Sequence, residues 1–333
     1  MKIGVLGAGA VGSWMAAKLA MAGEHVTLVA RGAQFSAIEA GGIDIDEGRF
    51  GRKNVNVTRL VRDITSAQGC DVMVVALKAY QLNAVVEELG ALASTGTVLL
   101  SLQNGLPWWY ALGNSVTPSG LESVDPGGRL AKAVPPASVL GGVVYVASTI
   151  TSAGQVKVAG KGRLVMGELD GQVSARIQEI AEVLQRCGIA AEPVADIRRH
   201  VWAKLWRNAA FNPVSCVTRS TLGEIAADPA MTPVLVALLD EVASVAAAVG
   251  ITIDETASSL VEATVKMGAH KTSMLQDLEI GRPLELDAMV GAIIELAARA
   301  NVQVPHLQTV FACARLAEKT AMQHSEKLSP KTT

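Results

Sequence analysis

The segment KIGVLGAGAVG, residues 2–12, constrains this chain more than any other part of it. A short apolar run stops at glycine, passes through G-x-G-x-x-G and continues into helix-compatible sequence from Ser13 to Ala22. That order predicts the strand, turn and helix of a dinucleotide-binding unit. Gly7 makes the tight turn, Gly9 lets a pyrophosphate approach the backbone, and Gly12 lets the helix pack close to the strand. Ala8, Ala10 and Val11 complete the loop, and the helix start offers N–H groups and partial positive charge to phosphates. A glycine-rich packing turn without a ligand is the bland alternative.

The pattern repeats. EHVTLVA (24–30), DVMVVAL (71–77) and TVLLSL (97–102) read as further buried strands, with a helical stretch from Ala79 to Leu92. Strand–helix–strand repetition implies a parallel sheet covered on both faces. Residues 140–168 return to β-like segments, with Gly154 and Gly160 expected in the turns. From Asp196 to Lys319 the chain carries long amphipathic helical patterns instead. The expected fold is therefore α/β: an N-terminal Rossmann-type parallel-sheet domain over 1–194 and a C-terminal all-helical domain over 195–333. Residues 113–138, rich in Gly, Pro and Ser, read as a long loop that is either a lid or a mobile excursion. The polar tail 325–333 is expected to fray.

Composition narrows the partners. Lys and Arg total 29 against 31 Asp and Glu, a net charge of -2, and aromatics are 4%. A chain that neutralises phosphates or stacks bases usually shows a basic excess and more aromatic residues, so a nucleic-acid partner is not expected. Cys70, Cys187, Cys216 and Cys313 form no CxxC or Cys/His cluster, which argues against zinc and a disulfide framework and suits a reducing cytoplasm. Met1–Lys2 and the apolar stretch to Ala22 superficially resemble a secretory leader, but Lys18 and the four glycines interrupt it. No stretch reaches about 18 uninterrupted apolar residues, so no membrane span is expected. The apolar helices of the second half could support a homodimer.

About 20 residues past the fingerprint an NAD enzyme usually offers Asp or Glu to the ribose. This chain has Val29–Ala30–Arg31–Gly32. Arg31 can pair with a 2′-phosphate in a planar fork, which favours NADPH, although a solvated surface arginine would look the same. Lys78 and Asn104 follow the third and fourth strands, where ligands of open α/β sheets bind; an ordinary lysine and a turn Asn–Gly are the competing readings.

Lys204, Asn208 and Asn212 recur every four residues in HVWAKLWRNAAFNP and so share a helix face. Their neighbours Trp202, Leu205 and Trp206 imply burial, where an unpaired ammonium or amide is costly. The set suits carbonyl reduction: hydride adds to carbon, charge develops on oxygen, and the ammonium stabilises and protonates it. The amides would hold polar groups of the substrate in register. A solvated polar stripe is the alternative. Pro213 is expected to kink or end the helix at Asn212.

Together these residues resemble the 2-dehydropantoate 2-reductase (ketopantoate reductase) family over nearly the whole chain. The resemblance rests on KIGVLGAGAVG, LKAYQ, LQNG, KLWRNAAFNP and TSMLQDLEIGRPLELD. It implies NADPH-dependent reduction of 2-dehydropantoate to (R)-pantoate, with Lys204 as general acid. It further implies Asn208, Asn212 and Ser273 as substrate ligands and Glu285 as the acid that closes the site near cofactor and reacting group. Gly7 to Gly12, Arg31, Lys78 and Asn104 match the family's cofactor positions, and Ala147 aligns loosely with another. Apart from the resemblance, Ser273 reads as a helix cap and Glu285 as a solvated acid at a helix start. Three departures bear on the substrate: His270 and Leu222 stand where relatives often carry asparagines, and the 113–138 loop is long. A related reductase of another branched or bulkier 2-oxo acid is therefore the second reading. A non-catalytic NADP(H) sensor is the third.

Overall fold

The computed structural model describes residues 1–113 and 120–328. These fall into two compact units. The first comprises Met1–Gln103, 108–113 and Gly127–His200; the second comprises Asn104–Pro107, 120–126 and 201–328. The division after His200 lies inside a helix, and two short pieces that precede it in sequence pack with the second unit.

The first unit is built on one sheet. Its strands are β1 (Lys2–Leu6), β2 (His25–Val29), β3 (Ile43–Asp46), β4 (Arg52–Val55), β5 (Arg59–Val61), β6 (Val72–Val75), β7 (Val98–Ser101), β8 (Val139–Ser152), β9 (Gln155–Glu168) and β10 (Ala190–Pro193). The order is β4-β3-β9-β8-β7-β6-β1-β2-β5, with β10 also paired to β9. From β8 to β5 every pairing is parallel, as the buried apolar runs of β1, β2, β6 and β7 predict. Beyond β8 the sheet is mixed: the long β8–β9 hairpin and the β3–β4 pair are antiparallel, whereas β3 and β10 run parallel to β9. The strand order runs outward in both directions from β1. The carboxyl end of β1 is thus a topological switch point, where open α/β sheets bind ligands.

The helices of this unit are α1 (Ala10–Met21), α2 (Gly32–Gly41), α3 (Val86–Ser94), α4 (Arg129–Ala133) and α5 (Ala175–Arg186). Trp14, Met15, Ala16, Ala17 and Leu19 of α1 are all buried, so this helix lies within the core and not on its rim. Three local expectations change. The stretch from Ala79 begins as a 3-10 turn to Val85 before becoming α3. Gly154 does sit between β8 and β9, but Gly160 lies inside β9. Tyr145 faces Arg163 while Ala147 faces Ala159, so extra residues of β9 form a bulge there. Finally, the part of the 113–138 stretch that is described is not one loop: it contains a 3-10 turn at Pro126–Gly128, α4, and a second 3-10 turn at Pro136–Ser138. The remainder, residues 114–119, lies outside the described residues.

The second unit is helical, as the sequence predicts: α6 (Ile197–Thr218), α7 (Leu222–Ala227), α8 (Thr232–Ala248), α9 (Ala257–Val265), α10 (Ser273–Glu279), α11 (Ala292–Arg299) and α12 (Pro305–Leu328). The first four residues of α6 belong to the other unit. Threonines start three of these helices: Thr221, Thr256 and Thr272 each accept a backbone N–H through the side-chain oxygen, and Glu224 returns the bond to Thr221. Trp206 anchors α6 to α8 by donating its indole N–H to Leu239 O at 2.9 Å. Pro213 does not end α6, which runs on to Thr218; packing of the buried residues Phe211, Val214, Ser215 and Cys216 outweighs the one backbone bond that proline removes. The tail forecast to fray is helical through Leu328, and 329–333 lie outside the described residues.

Residues 120–126 are tied to α11 by one carboxylate. Glu295 accepts N–H bonds from Glu122 and Ser123 and the Ser123 hydroxyl, and Arg299 donates to both Glu295 and Gly120 O. Burial would raise the Glu295 carboxyl, but these donors and the guanidinium hold it below the ordinary value. No helix among the described residues is long and apolar enough to cross a membrane.

Candidate active site

In the first unit the fingerprint leaves β1 and enters α1 at the switch point. Gly7 has φ +103, a conformation that favours glycine, and its N–H donates to Val29 O at 3.0 Å, fixing the turn to β2. A Cβ on Gly12 would stand 1.8 Å from Gly7 O, so helix and turn can touch only without a side chain there. Gly9 differs from both. Its φ is -74 and a Cβ there would meet no protein atom within 4 Å. Neither conformation nor packing requires glycine at 9, and the open space there leaves room for a group to approach the backbone. The N-terminus of α1 starts at this residue, so the cradle fits a pyrophosphate.

Around this cradle, Arg31 caps the start of α2 at the end of β2, is exposed, and donates Nε to Arg62 O at 3.3 Å. The guanidinium of Arg62 stacks on Phe35 with 3.7 Å to the ring centroid. Asp63 beside them is held below the usual carboxylate range by hydrogen bonds from Thr65 and Ser66, with a smaller contribution from the charge of Arg31. Lys78 stands half-buried after β6, its backbone N–H bonded to Gln81 Oε1 at 2.9 Å. Ala147 is exposed on β8 at the bulge. A residue not singled out from the sequence, Gln103, is buried and donates Nε2 to Val75 O (2.9 Å) and Leu77 O (3.2 Å). It ties the ends of β6 and β7 together. Its place in LQNG, one residue past a buried strand, was the available signal.

The second unit gathers three side chains that are far apart in sequence. Lys204, half-buried on α6, donates Nζ to Asn104 Oδ1 at 2.7 Å. Asn104 donates Nδ2 to Glu285 Oε2 at 3.3 Å, and Glu285 is 5% exposed. The amide orientation follows from its neighbours: the carbonyl oxygen faces an ammonium and the NH₂ faces a carboxylate, and a flipped amide would oppose both. Asn104 was expected from its strand-end position beside the cofactor; in this unit it links the cation and the anion.

Asn104 is held there by backbone. Gly105 has φ +83, and a Cβ on it would stand 2.4 Å from Ala288 O. The next N–H, from Leu106, donates to that same oxygen at 2.8 Å. Ala288 lies in a π-turn, Asp287–Gly291, that leads directly into α11. Such turns leave carbonyls without their usual helical partners, and here Leu106 supplies one. The sequence pattern of 286–302 reads as one uninterrupted helix and gives no hint of this turn.

The rest of the stripe is placed as spacing predicts, with increasing burial. Asn208 is half-buried; Asn212 is buried and donates Nδ2 to Met289 Sδ at 3.2 Å. Below it, Ser215 donates to Asn212 O at 2.7 Å and shares a hydrogen bond of 2.6 Å with Thr272. Thr272, not Ser273, caps α10, so Ser273 stands exposed as its first residue with no capping duty. Leu222 is buried, and its N–H donates to the backbone oxygen of exposed His270 at 2.9 Å, which places these two departures side by side. Burial pushes the Cys216 thiol on α6 up to about 12, so it is an inert filler there. Among the described residues no group of three His, Cys, Asp or Glu side chains could hold a metal.

Comparison with known proteins bears on this arrangement. The family described as "Ketopantoate reductase PanE/ApbA" matches residues 3–171, and "Ketopantoate reductase PanE/ApbA C terminal" matches residues 196–318. The chain is 36% identical to a 2-dehydropantoate 2-reductase of Mesorhizobium japonicum, covering 95% of this chain and 97% of that one. It is 35% identical to one of Archaeoglobus fulgidus over 88% and 90% of the two chains. A solved structure from Ralstonia solanacearum MolK2, described as a candidate ketopantoate reductase, superimposes with TM-score 0.90 at 34% identity, covering 96% of this chain and 98% of that one.

Proposed function

Since this chain belongs to the ketopantoate reductase PanE/ApbA family, and is an oxidoreductase of that class acting with a nicotinamide cofactor on a small keto acid, we propose that it reduces 2-dehydropantoate to (R)-pantoate with NADPH. The observation that carries this reading is the hydrogen-bonded row Lys204–Asn104–Glu285, an ammonium, an amide and a nearly buried carboxylate in series. The third alternative, a non-catalytic sensor, gives way to the reductase family.

In this reading the cofactor, when bound, supplies a hydride to the C2 carbonyl carbon. The chain supplies the proton. An ammonium has three N–H bonds, and Asn104 engages one of those on Lys204. As negative charge grows on the substrate oxygen, that oxygen becomes a stronger acceptor than a neutral amide, and the proton passes from Nζ to it. The products are the 2-hydroxy acid and a neutral lysine amine, which regains its proton from solvent. Glu285 holds the Asn104 amide, whose oxygen in turn fixes the direction of the Lys204 ammonium. Asn208, Asn212 and Ser273 are the proposed ligands of the substrate's polar groups, which fix the carbonyl relative to the ammonium. Lys78 and Ala147 are proposed to line the cofactor's path beside the Gly7–Gly12 cradle.

The reading is tested by NADPH oxidation measured across a panel of 2-oxo acids. The highest kcat/KM is expected on 2-dehydropantoate. The adjacency of Leu222 and His270 favours one competing outcome, a preference for a bulkier 2-oxo acid, and that result would move the substrate assignment while leaving the chemistry intact. Arg31 gives a separate prediction for the cofactor. Arg31→Ala should raise KM for NADPH about tenfold or more, by loss of a charge-assisted fork, and leave KM for NADH within about twofold. Equal effects on the two cofactors would remove the 2′-phosphate role.

A further inference from the structure

The carboxylate of Glu285 is useful in the proposed mechanism only while it stays where Asn104 can reach it. The backbone around it is gripped from α12. The Leu284 N–H donates to Glu318 Oε1 at 2.7 Å, and Glu318 is 6% exposed. The other oxygen of Glu318 accepts from Arg315 Nη1 at 2.9 Å. A second arm of the same guanidinium reaches the Asp287 carboxylate, the first residue of the π-turn. Segment 284–287 is thus held at both ends by two residues one helical turn apart, with Glu285 between the clasped positions. Phe311, one turn earlier, stacks under Arg315 at 5.1 Å.

Burying a Glu–Arg pair contributes little to stability by itself, because desolvation offsets much of the attraction. A hydrophobic pair would pack as well, but it could not accept the Leu284 N–H or tether Asp287. The clasp does what packing cannot: it fixes backbone direction at one residue. The π-turn then relays that placement, since Ala288 O accepts the Leu106 N–H and so sets Asn104 by the same element.

We infer that Glu318 and Arg315 are positioning residues for the reduction, acting through Glu285 and touching neither substrate nor cofactor. The inference rests on the proposed role of Glu285, so the test includes that residue. Four variants of the full chain are compared with NADPH and 2-dehydropantoate: Glu285→Ala, Glu318→Ala, the double variant, and Glu318→Gln, whose amide oxygen can still accept from Leu284. Glu318→Ala is expected to lower kcat about tenfold, since small misplacements of reacting groups carry costs of that order. KM for NADPH should be unchanged, and Glu318→Gln should restore at least about half of wild-type kcat by retaining the acceptor. In the Glu285→Ala background, Glu318→Ala should cost less than a further twofold, because residues that act through one group do not add.

If Glu318→Ala does not fold, Arg315→Met carries the same cycle from the more exposed side of the pair. Glu285→Ala at wild-type rate would overturn the role of Glu285 and this inference with it. An impaired Glu285→Ala beside a Glu318→Ala of normal kcat would overturn this inference alone. So would losses that multiply in the double variant, which would mark Glu318 as merely structural.

Discussion

Lys204→Ala is expected to lower kcat at least about a hundredfold, the usual loss when a positioned general acid is removed. The reason is local. Nζ is 2.7 Å from Asn104 Oδ1 on a half-buried helix face. Removing it leaves Asn104 and a 5% exposed carboxylate facing a developing alkoxide with no cation between, so the variant should lose transition-state stabilisation as well as the proton. KM for the oxo acid should rise less than kcat falls, because a neutral carbonyl uses the ammonium weakly and an alkoxide uses it strongly. Lys204→Arg keeps the charge but is a far poorer acid, and should recover only a small part of the rate. Steady-state kinetics on the purified variants checks this. A Lys204→Ala enzyme within tenfold of wild type would assign proton transfer elsewhere.

Gly12→Ala should be damaging in a different way. The added methyl carbon would stand 1.8 Å from Gly7 O, a backbone atom that cannot rotate aside, so α1 and β1 would have to separate. Overpacking of that kind costs about 3 kcal/mol or more, visible as a fall of several degrees in Tm and loss of cofactor binding together. Gly9→Ala is the informative contrast. A methyl there meets no protein atom within 4 Å and φ is ordinary, so Tm should hold while cofactor affinity falls. Thermal unfolding and cofactor titration of the two variants separate a glycine kept for packing from one kept for a ligand. Wild-type affinity in Gly9→Ala would mean that no ligand approaches that backbone.

These contrasts also mark what could be read from residues alone. The strand–turn–helix at 2–21, the parallel strands and the helical second half follow from periodicity and glycine placement, both local. The four-residue spacing of Lys204, Asn208 and Asn212 put them on one face correctly. What escaped is made by distant partners. Nothing at 104 announces an ammonium 100 residues later, and nothing in DAMVG announces a π-turn, because its freed carbonyl is used by Leu106. Pro213 inside α6 shows the converse: a strong local signal overruled by the burial of its neighbours. The Arg315–Glu318 clasp was invisible for the same reason as Asn104, since its target, the Leu284 N–H, carries no side-chain signature.

The four residues Asn104–Pro107, encoded upstream of α6 yet packed with the helical unit, set a rule for engineering. A chimera joined after His200, or a gene split there, would import Lys204 and Glu285 from one parent and inherit their amide from the other. Transplanting substrate preference between two such reductases would therefore require grafting that tetrapeptide along with the helices. Shuffling experiments that ignore it should yield folded but sluggish hybrids.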